Sequence, residues 1–151
     1  MVPSGTVKRR PTPKRHGQKK RVLFVCLGNS CRSQMAEAFA RAYGSDVLIP
    51  VSAGIIPAID VAPLTIQVLA EKNIRADKQF PKSLDQVTHE RFDLIVNMSG
   101  SALPHAATKV VEWPVEDPIG QKPEVYRNVA NQIEGLVMNL ILNLRSKHSP
   151  S

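Results

Sequence analysis

Apolar positions in this chain fall into short blocks with two different periods. Arg21-Val-Leu-Phe-Val-Cys-Leu27 is a run of aliphatic, β-branched and aromatic residues bounded by Gly28-Asn29, which predicts a buried parallel strand. Met35, Ala38, Phe39 and Ala42 then recur at helical spacing with Gly44 behind them, predicting an amphipathic helix with a glycine stop. Val47 to Val51 reads as a second strand, and its Pro50 places it at a sheet edge. Ile66, Leu69 and Ala70 share one face of a helix that Pro63 introduces and that closes near Asn73. Phe92 to Met98 is a third strand and Lys109 to Trp113 a shorter fourth. Val129, Ile133, Leu136, Val137, Leu140, Ile141 and Leu144 stripe a long C-terminal helix. Strands alternating with helices predict a doubly wound, three-layer α/β/α domain on a four-stranded parallel sheet, with its ligand site at the carboxyl ends of the strands.

Composition agrees with one packed domain: 151 residues, 42% apolar and 22% charged. The formal charge of +7 is local. Eight of the twenty basic residues lie between Lys8 and Arg21, ahead of the first acidic residue, Glu37, so the remainder sets twelve basic groups against thirteen acidic ones. Residues 1–20 therefore read as a disordered basic tail, rich in proline and poor in apolar groups, ahead of a domain at 21–148. The tail lacks the apolar stretch of a secretory signal, and its prolines spoil the helix of a transit peptide. A nucleic-acid partner would have only this tail to hold it, without aromatic residues to stack on bases. The longest apolar window, Val47 to Ala70, is cut by Pro50, Pro57, Asp60 and Pro63, so no membrane span is expected. Two cysteines exclude a disulfide framework and point to a reducing, cytoplasmic setting, and a monomer is expected.

The end of the first strand carries the chemistry: Cys26-Leu27-Gly28-Asn29-Ser30-Cys31-Arg32-Ser33. A cysteine in an apolar strand is commonly a small core residue, and Cys and Arg at this spacing arise often by chance. Here a strand precedes them, Gly-Asn sits between them, a helix follows, and a serine adjoins the arginine. In such a turn, successive backbone N–H groups of Leu27, Gly28, Asn29, Ser30, Cys31 and Arg32 face inward as a phosphate-binding nest at a helix N-terminus. Gly28 and Asn29 are the residues that best tolerate positive φ. Arg32 would grip two oxygens with its planar fork, and the same field would hold Cys26 as the nucleophilic thiolate, with Ser33 within reach of its sulfur.

Attack on a phosphate ester also needs a group to protonate the leaving alkoxide. Asp117, ahead of Pro118 and just past the fourth strand, is the candidate; a turn-forming Asp before Pro is the plainer alternative. His89, in a polar helical stretch, and His105, after Pro104, read as solvent-exposed. Two cysteines five apart, with no second Cys or His pair, cannot complete a zinc site, so neither metal nor cofactor is expected.

The loop from Cys26 to Ser33, taken with Asp117-Pro118, resembles the low-molecular-weight protein tyrosine phosphatase family over about Arg21 to Arg145. Ser52-Ala-Gly54 after the second strand and Asn97-Met98-Ser99 after the third extend the likeness. The resemblance implies Cys26 as nucleophile, Arg32 as phosphate ligand and Asp117 as general acid. It further implies that Asn29 holds the loop's shape, that Ser33 stabilises the thiolate, and that Cys31 traps an oxidised Cys26 as a reversible disulfide. The expected reaction is hydrolysis of a phosphorylated protein or small phosphomonoester through a cysteinyl-phosphate.

Several positions depart from that family. Ile119 and Gly120 stand where typical members place tyrosines, Ile55-Ile-Pro-Ala-Ile-Asp60 is aliphatic, and Gln79 falls about where a buried histidine supports the loop. Ser33-Gln-Met-Ala-Glu37 is closer to the arsenate reductases that share this fold and loop. Thioredoxin-coupled reductases need cysteines after the loop, and none follows Cys31; a reductase using a small external thiol needs only Cys26 and stands as the alternative. A non-catalytic phosphate or nucleic-acid binding module is the third reading.

Overall fold

The computed structural model describes residues 18–103 and 108–148. Four parallel strands, β1 (Lys20–Cys26), β2 (Leu48–Gly54), β3 (Leu94–Asn97) and β4 (Val110–Glu112), form one sheet in the order β2-β1-β3-β4. Four helices connect and flank them: α1 (Arg32–Gly44), α2 (Pro63–Glu71), the short α3 (Leu84–Val87) and α4 (Pro123–His148). This is the three-layer α/β architecture that the alternation of periods predicts. Strand β1 is where it divides its core: Val22, Phe24 and Cys26 pack toward α1 and α4, while Leu23 and Val25 pack with Ala53 and Val87 on the opposite face. Burial on both faces explains why β1 reads as a continuous apolar run.

The first connection runs to β2 on one side of β1 and the next crosses to β3 on the other, so the crevice beyond β1 is the switch point of the winding. In register, Cys26 lies opposite Gly54 and Val25 opposite Asn97, which brings the carboxyl ends of three strands level there. Strand β2 is at the edge, as its Pro50 implies.

Three local expectations are corrected. The tail boundary moves, because Lys20 is the first residue of β1 and its N–H donates to Val47 O at 2.9 Å; the tail itself, at residues 1–17, lies outside the described residues. Gly44 does not stop α1 through a left-handed turn, since Ser45 behind it stays right-handed. Gly44 is instead a contact point, where an added Cβ would lie 2.6 Å from Ile141 Cγ1 of α4. The buried face of α2 is Thr65, Val68 and Leu69; Ile66 is half-buried and Ala70 exposed. The phase slips because Thr65, a polar residue, is turned inward to donate its hydroxyl to Ser30 O at 3.0 Å. The helix α2 ends at Glu71 and is closed near Asn73 as expected, since the φ of 63° there lets Ile74 N–H return to Leu69 O at 3.0 Å. Among the described residues no helix is long and apolar enough to cross a membrane.

Candidate active site

The loop after β1 keeps its carbonyls on the outside. Ile55, Ile56 and Ala58 donate backbone N–H groups to the carbonyls of Cys26, Leu27 and Gly28, Gln34 Nε2 donates to that of Asn29, and Ala62 N–H with Thr65 Oγ1 to that of Ser30. A peptide plane sets its C=O and N–H in opposite directions, so carbonyls turned out leave the N–H groups of residues 27 to 31 turned in. The turn is completed at Asn29, whose φ is 50°. Gly28, expected to share that role, does not have positive φ; Asn29 alone takes the left-handed conformation in this loop. Gly54 makes the close approach possible, because a Cβ there would come within 2.9 Å of Asn29 N and Gly28 C.

Cys26 is buried at the base of this cradle, its Sγ 2.9 Å from Ser33 Oγ and 3.5 Å from Ser33 N. Arg32 is buried as well, and Nη1 donates to Met98 O at 2.6 Å and Val115 O at 3.2 Å. Those carbonyls follow β3 and precede the Asp117 segment, so the guanidinium is aimed by two neighbouring strand ends. Its Nη2 lies 3.5 Å from Asp117 Oδ2. Asp117 is 43% exposed, with Oδ1 accepting from Ile119 N–H at 3.1 Å. The expected triad of Cys26, Arg32 and Asp117 therefore shares one site although Asp117 is far along the chain. Asp117 also makes the Asx turn that was its plainer reading.

The site opens as a cavity of about 250 Å³ lined by Cys26, Leu27, Ser30, Arg32, Asp117 and aliphatic Ile56, Ala58 and Ile119 among others. Larger hollows on other faces, one of about 720 Å³ beside α4, contain none of this chemistry. Gly120 has φ 84° in the turn closed by Gln121 N–H to Pro118 O at 2.9 Å, so at that position backbone geometry takes the place of an aromatic wall. Cys31 is buried, and burial pushes its thiol up to about 12 despite a hydrogen bond with Thr65. His89 is exposed in the turn after α3, away from the cavity lining, and His105 lies outside the described residues. Among the described residues no group of three or more His, Cys, Asp or Glu is placed to hold a metal ion.

Three supporting residues, Gln34, Glu37 and Lys82, have a role that the sequence alone does not show. Gln34 is buried beneath the loop, Glu37 is buried with Ser52 donating to it, and Lys82 sends its backbone N–H to Asn29 Oδ1 at 2.9 Å. Lys82 Nζ stands 3.9 Å from Glu37, and burial lowers its pKa while Glu37 raises it. Gln79 reaches the loop through Gln34 rather than directly.

An anion cradle with a cysteine at its base, an arginine at its rim and a carboxylate facing both defines a cysteine-dependent enzyme acting on a tetrahedral oxyanion or its ester. The family described as Low molecular weight phosphotyrosine protein phosphatase matches residues 21–149, and the chain belongs to it. Its members include both phosphatases and arsenate reductases. The chain is 34% identical over 130 residues to a glutaredoxin arsenate reductase of Synechocystis sp., covering 83% of this chain and 98% of that protein. A solved structure of an arsenate reductase in the phosphate binding state aligns with TM-score 0.78 at 34% identity, covering 83% of this chain and 98% of that one. The low molecular weight protein tyrosine phosphatase of T. tengcongensis aligns with TM-score 0.71 at 32% identity, covering 83% and 99%.

Proposed function

We propose that the chain is an arsenate reductase drawing its electrons from a small external thiol in a reducing compartment, the cytoplasm. The observation that carries this reading is the shape of the seat: about 250 Å³ walled by Ile56, Ala58 and Ile119, with no aromatic ring lining it among the described residues. It suits a bare tetrahedral oxyanion and gives a phosphotyrosine ring nothing to stack on. The arsenate reductases among the relatives support the same choice over the phosphatase expected from the sequence.

In this reading the loop N–H groups and Arg32 hold three arsenate oxygens while Cys26 Sγ attacks arsenic in line with the fourth. That oxygen leaves as water with a proton from Asp117. An external thiolate then attacks Cys26 Sγ. The S–As bond breaks with its electron pair going to arsenic, As(V) becomes As(III) and departs as arsenite, and Cys26 remains in a mixed disulfide. A second external thiol frees Cys26 and leaves as the disulfide, so two thiols are oxidised per arsenate reduced. Cys31 is a poor internal relay, because burial pushes its thiol up to about 12 and so favours the protonated, non-nucleophilic form.

The second reading is the phosphomonoesterase. It is favoured by Asp117, which stands beside Arg32 where it could protonate an alkoxide and then activate water against a cysteinyl-phosphate. Assays on one preparation separate the two. Arsenite should form with glutathione as sole reductant and cease in Cys26→Ser. Fast hydrolysis of p-nitrophenyl phosphate without arsenite formation would establish the phosphatase instead, and oxyanion binding without either turnover the binding module.

A further inference from the structure

Gln34 is buried in the first turn of α1, directly behind the loop. Its Nε2 donates to two carbonyls at once, Asn29 O at 2.9 Å and Phe80 O at 3.0 Å. Both are acceptors only, so Oε1 has to face the other way, and there Gln79 Nε2 donates to it at 2.6 Å. Gln79 Nε2 also reaches the Gln34 backbone carbonyl at 3.1 Å, and Gln79 Oε1 accepts from Arg41 Nη1 at 3.1 Å. Arg41 is ion-paired with buried Glu37. A polar chain thus runs from Glu37 through Arg41, Gln79 and Gln34 to the outer side of the loop. Each link has a single orientation, because each amide accepts on one side and donates on the other.

The loop end of that chain is its most constrained point. Asn29 has φ 50°, the left-handed conformation that turns the chain here, so the direction of its peptide planes depends on what its carbonyl bonds to. Gln34 holds the Asn29 carbonyl outward, and the Ser30 N–H on the same peptide plane points the opposite way, into the cavity. Resting on the reading of this loop as an oxyanion seat, we infer that Gln34, braced by Gln79, is a positioning residue that sets the direction of the Ser30 N–H and with it the affinity of the seat.

Sulfate, a dianion between about pH 5 and about 8, is the probe, titrated calorimetrically into the intact chain and its variants. Gln34→Met keeps length and bulk while deleting the donor, and should weaken sulfate about tenfold or more; Gln79→Met, one link further out, should weaken it less. Gln34→Glu sets an ionised carboxylate against two carbonyls. Its affinity relative to the parent should fall at high pH and recover as the carboxyl regains a proton to donate. Glu37, Arg41, Lys82 and the more distant Arg75, Asp77 and Lys78 around this network set the pH at which the new carboxyl titrates, not the direction of the change. A merely structural role would lower thermal stability and leave the ratio unmoved. If the parent takes up no sulfate, the oxyanion-seat reading fails. If the parent binds, the variants bind as tightly and the Gln34→Glu ratio is flat in pH, the seat stands and the brace is wrong. Should Gln34→Met not fold, Gln79→Met and Gln34→Glu decide by the same criteria.

Discussion

Asn29 Nδ2 donates to Ser33 Oγ at 2.7 Å, and that hydroxyl in turn stands 2.9 Å from Cys26 Sγ. The amide cannot be turned round, because its Oδ1 is claimed by the Lys82 N–H at 2.9 Å. Ser33 Oγ accepts from Asn29 and keeps its own hydrogen, which can donate to Cys26 Sγ, 2.9 Å away, whenever that sulfur is a thiolate and only accepts. Asn29 thereby ties the Lys82 backbone to the Ser33 hydroxyl beside Cys26, and if Cys26 reacts as a thiolate that hydroxyl is the side-chain donor beside it.

Ser33→Ala should therefore cost turnover more than binding. A hydrogen bond to a charged group is worth about 1.5–3 kcal/mol, so kcat should fall about tenfold or more, while sulfate affinity, set by backbone N–H groups and Arg32, stays close to the parent value. Steady-state arsenite formation alongside sulfate titration checks both. An unchanged kcat would mean that the Ser33 hydroxyl does not act on the sulfur.

Asp117→Asn should move two measurements in opposite directions. Loss of the proton donor should slow arsenate turnover by about a hundredfold or more. Before an anion binds, the Asp117 carboxylate is paired with Arg32, 3.5 Å from Nη2, and competes with the incoming anion for the guanidinium, so with a neutral amide there sulfate should bind more tightly. Parallel losses in rate and affinity would instead assign Asp117 to holding the Asp117–Gln121 turn together.

The difference between what was legible in the sequence and what was not follows from how each residue earns its place. Cys26, Asn29, Arg32 and Ser33 sit in one continuous turn, where strand, turn and helix signals are local, and Asp117 is marked by the proline behind it. Gln34, Glu37 and Lys82 carry no such mark. Each has a partner far along the chain, Gln34 with Phe80, Glu37 with Ser52 and Lys82 with Asn29, 15 to 53 positions away. A buried polar side chain looks like a surface one until its partner is known. Thr65 shows the same blindness inside a helix: counting apolar residues alone put Ile66 and Ala70 on the buried face, because the hydroxyl that satisfies Ser30 O was counted as polar and outward.

Gly44 is a case where the right residue was read for the wrong reason, and it gives a stability prediction. Replacing a helical glycine by alanine ordinarily gains up to about 1 kcal/mol. Here the new methyl would lie 2.6 Å from Ile141 Cγ1 in a buried contact between α1 and α4, and overpacking of this kind costs about 1–3 kcal/mol. Gly44→Ala should lower the thermal midpoint. Adding Ile141→Ala should make the two changes less than additive, since the second removes the atoms that clash. Strict additivity in denaturant unfolding would show that the helices slide apart freely.

Cys31 links the site to stability at alkaline pH. Its thiol is pushed from 9.0 up to about 12, chiefly by burial. Below pH 9.0 the thiol is protonated in both folded and unfolded chains and contributes no slope. Between 9.0 and about 12 the unfolded chain has given up a proton that the folded chain still holds, so unfolding releases a proton and stability falls as pH rises. The steepest contribution is about 1.4 kcal/mol per pH unit. In Cys31→Ala that contribution disappears together with the smaller upward push that Cys31 gives Tyr126, while groups not coupled to Cys31 remain in both proteins and cancel in the comparison. Urea unfolding of parent and variant should therefore run parallel below about pH 9 and diverge above it, the parent losing stability faster. Curves that stay parallel through pH 12 would show that the Cys31 thiol ionises as readily in the folded chain as in the unfolded one. That result would also reopen Cys31 as the second thiol of the reaction, because an ionisable Cys31 could attack Cys26 Sγ and make the external thiol unnecessary for arsenite release.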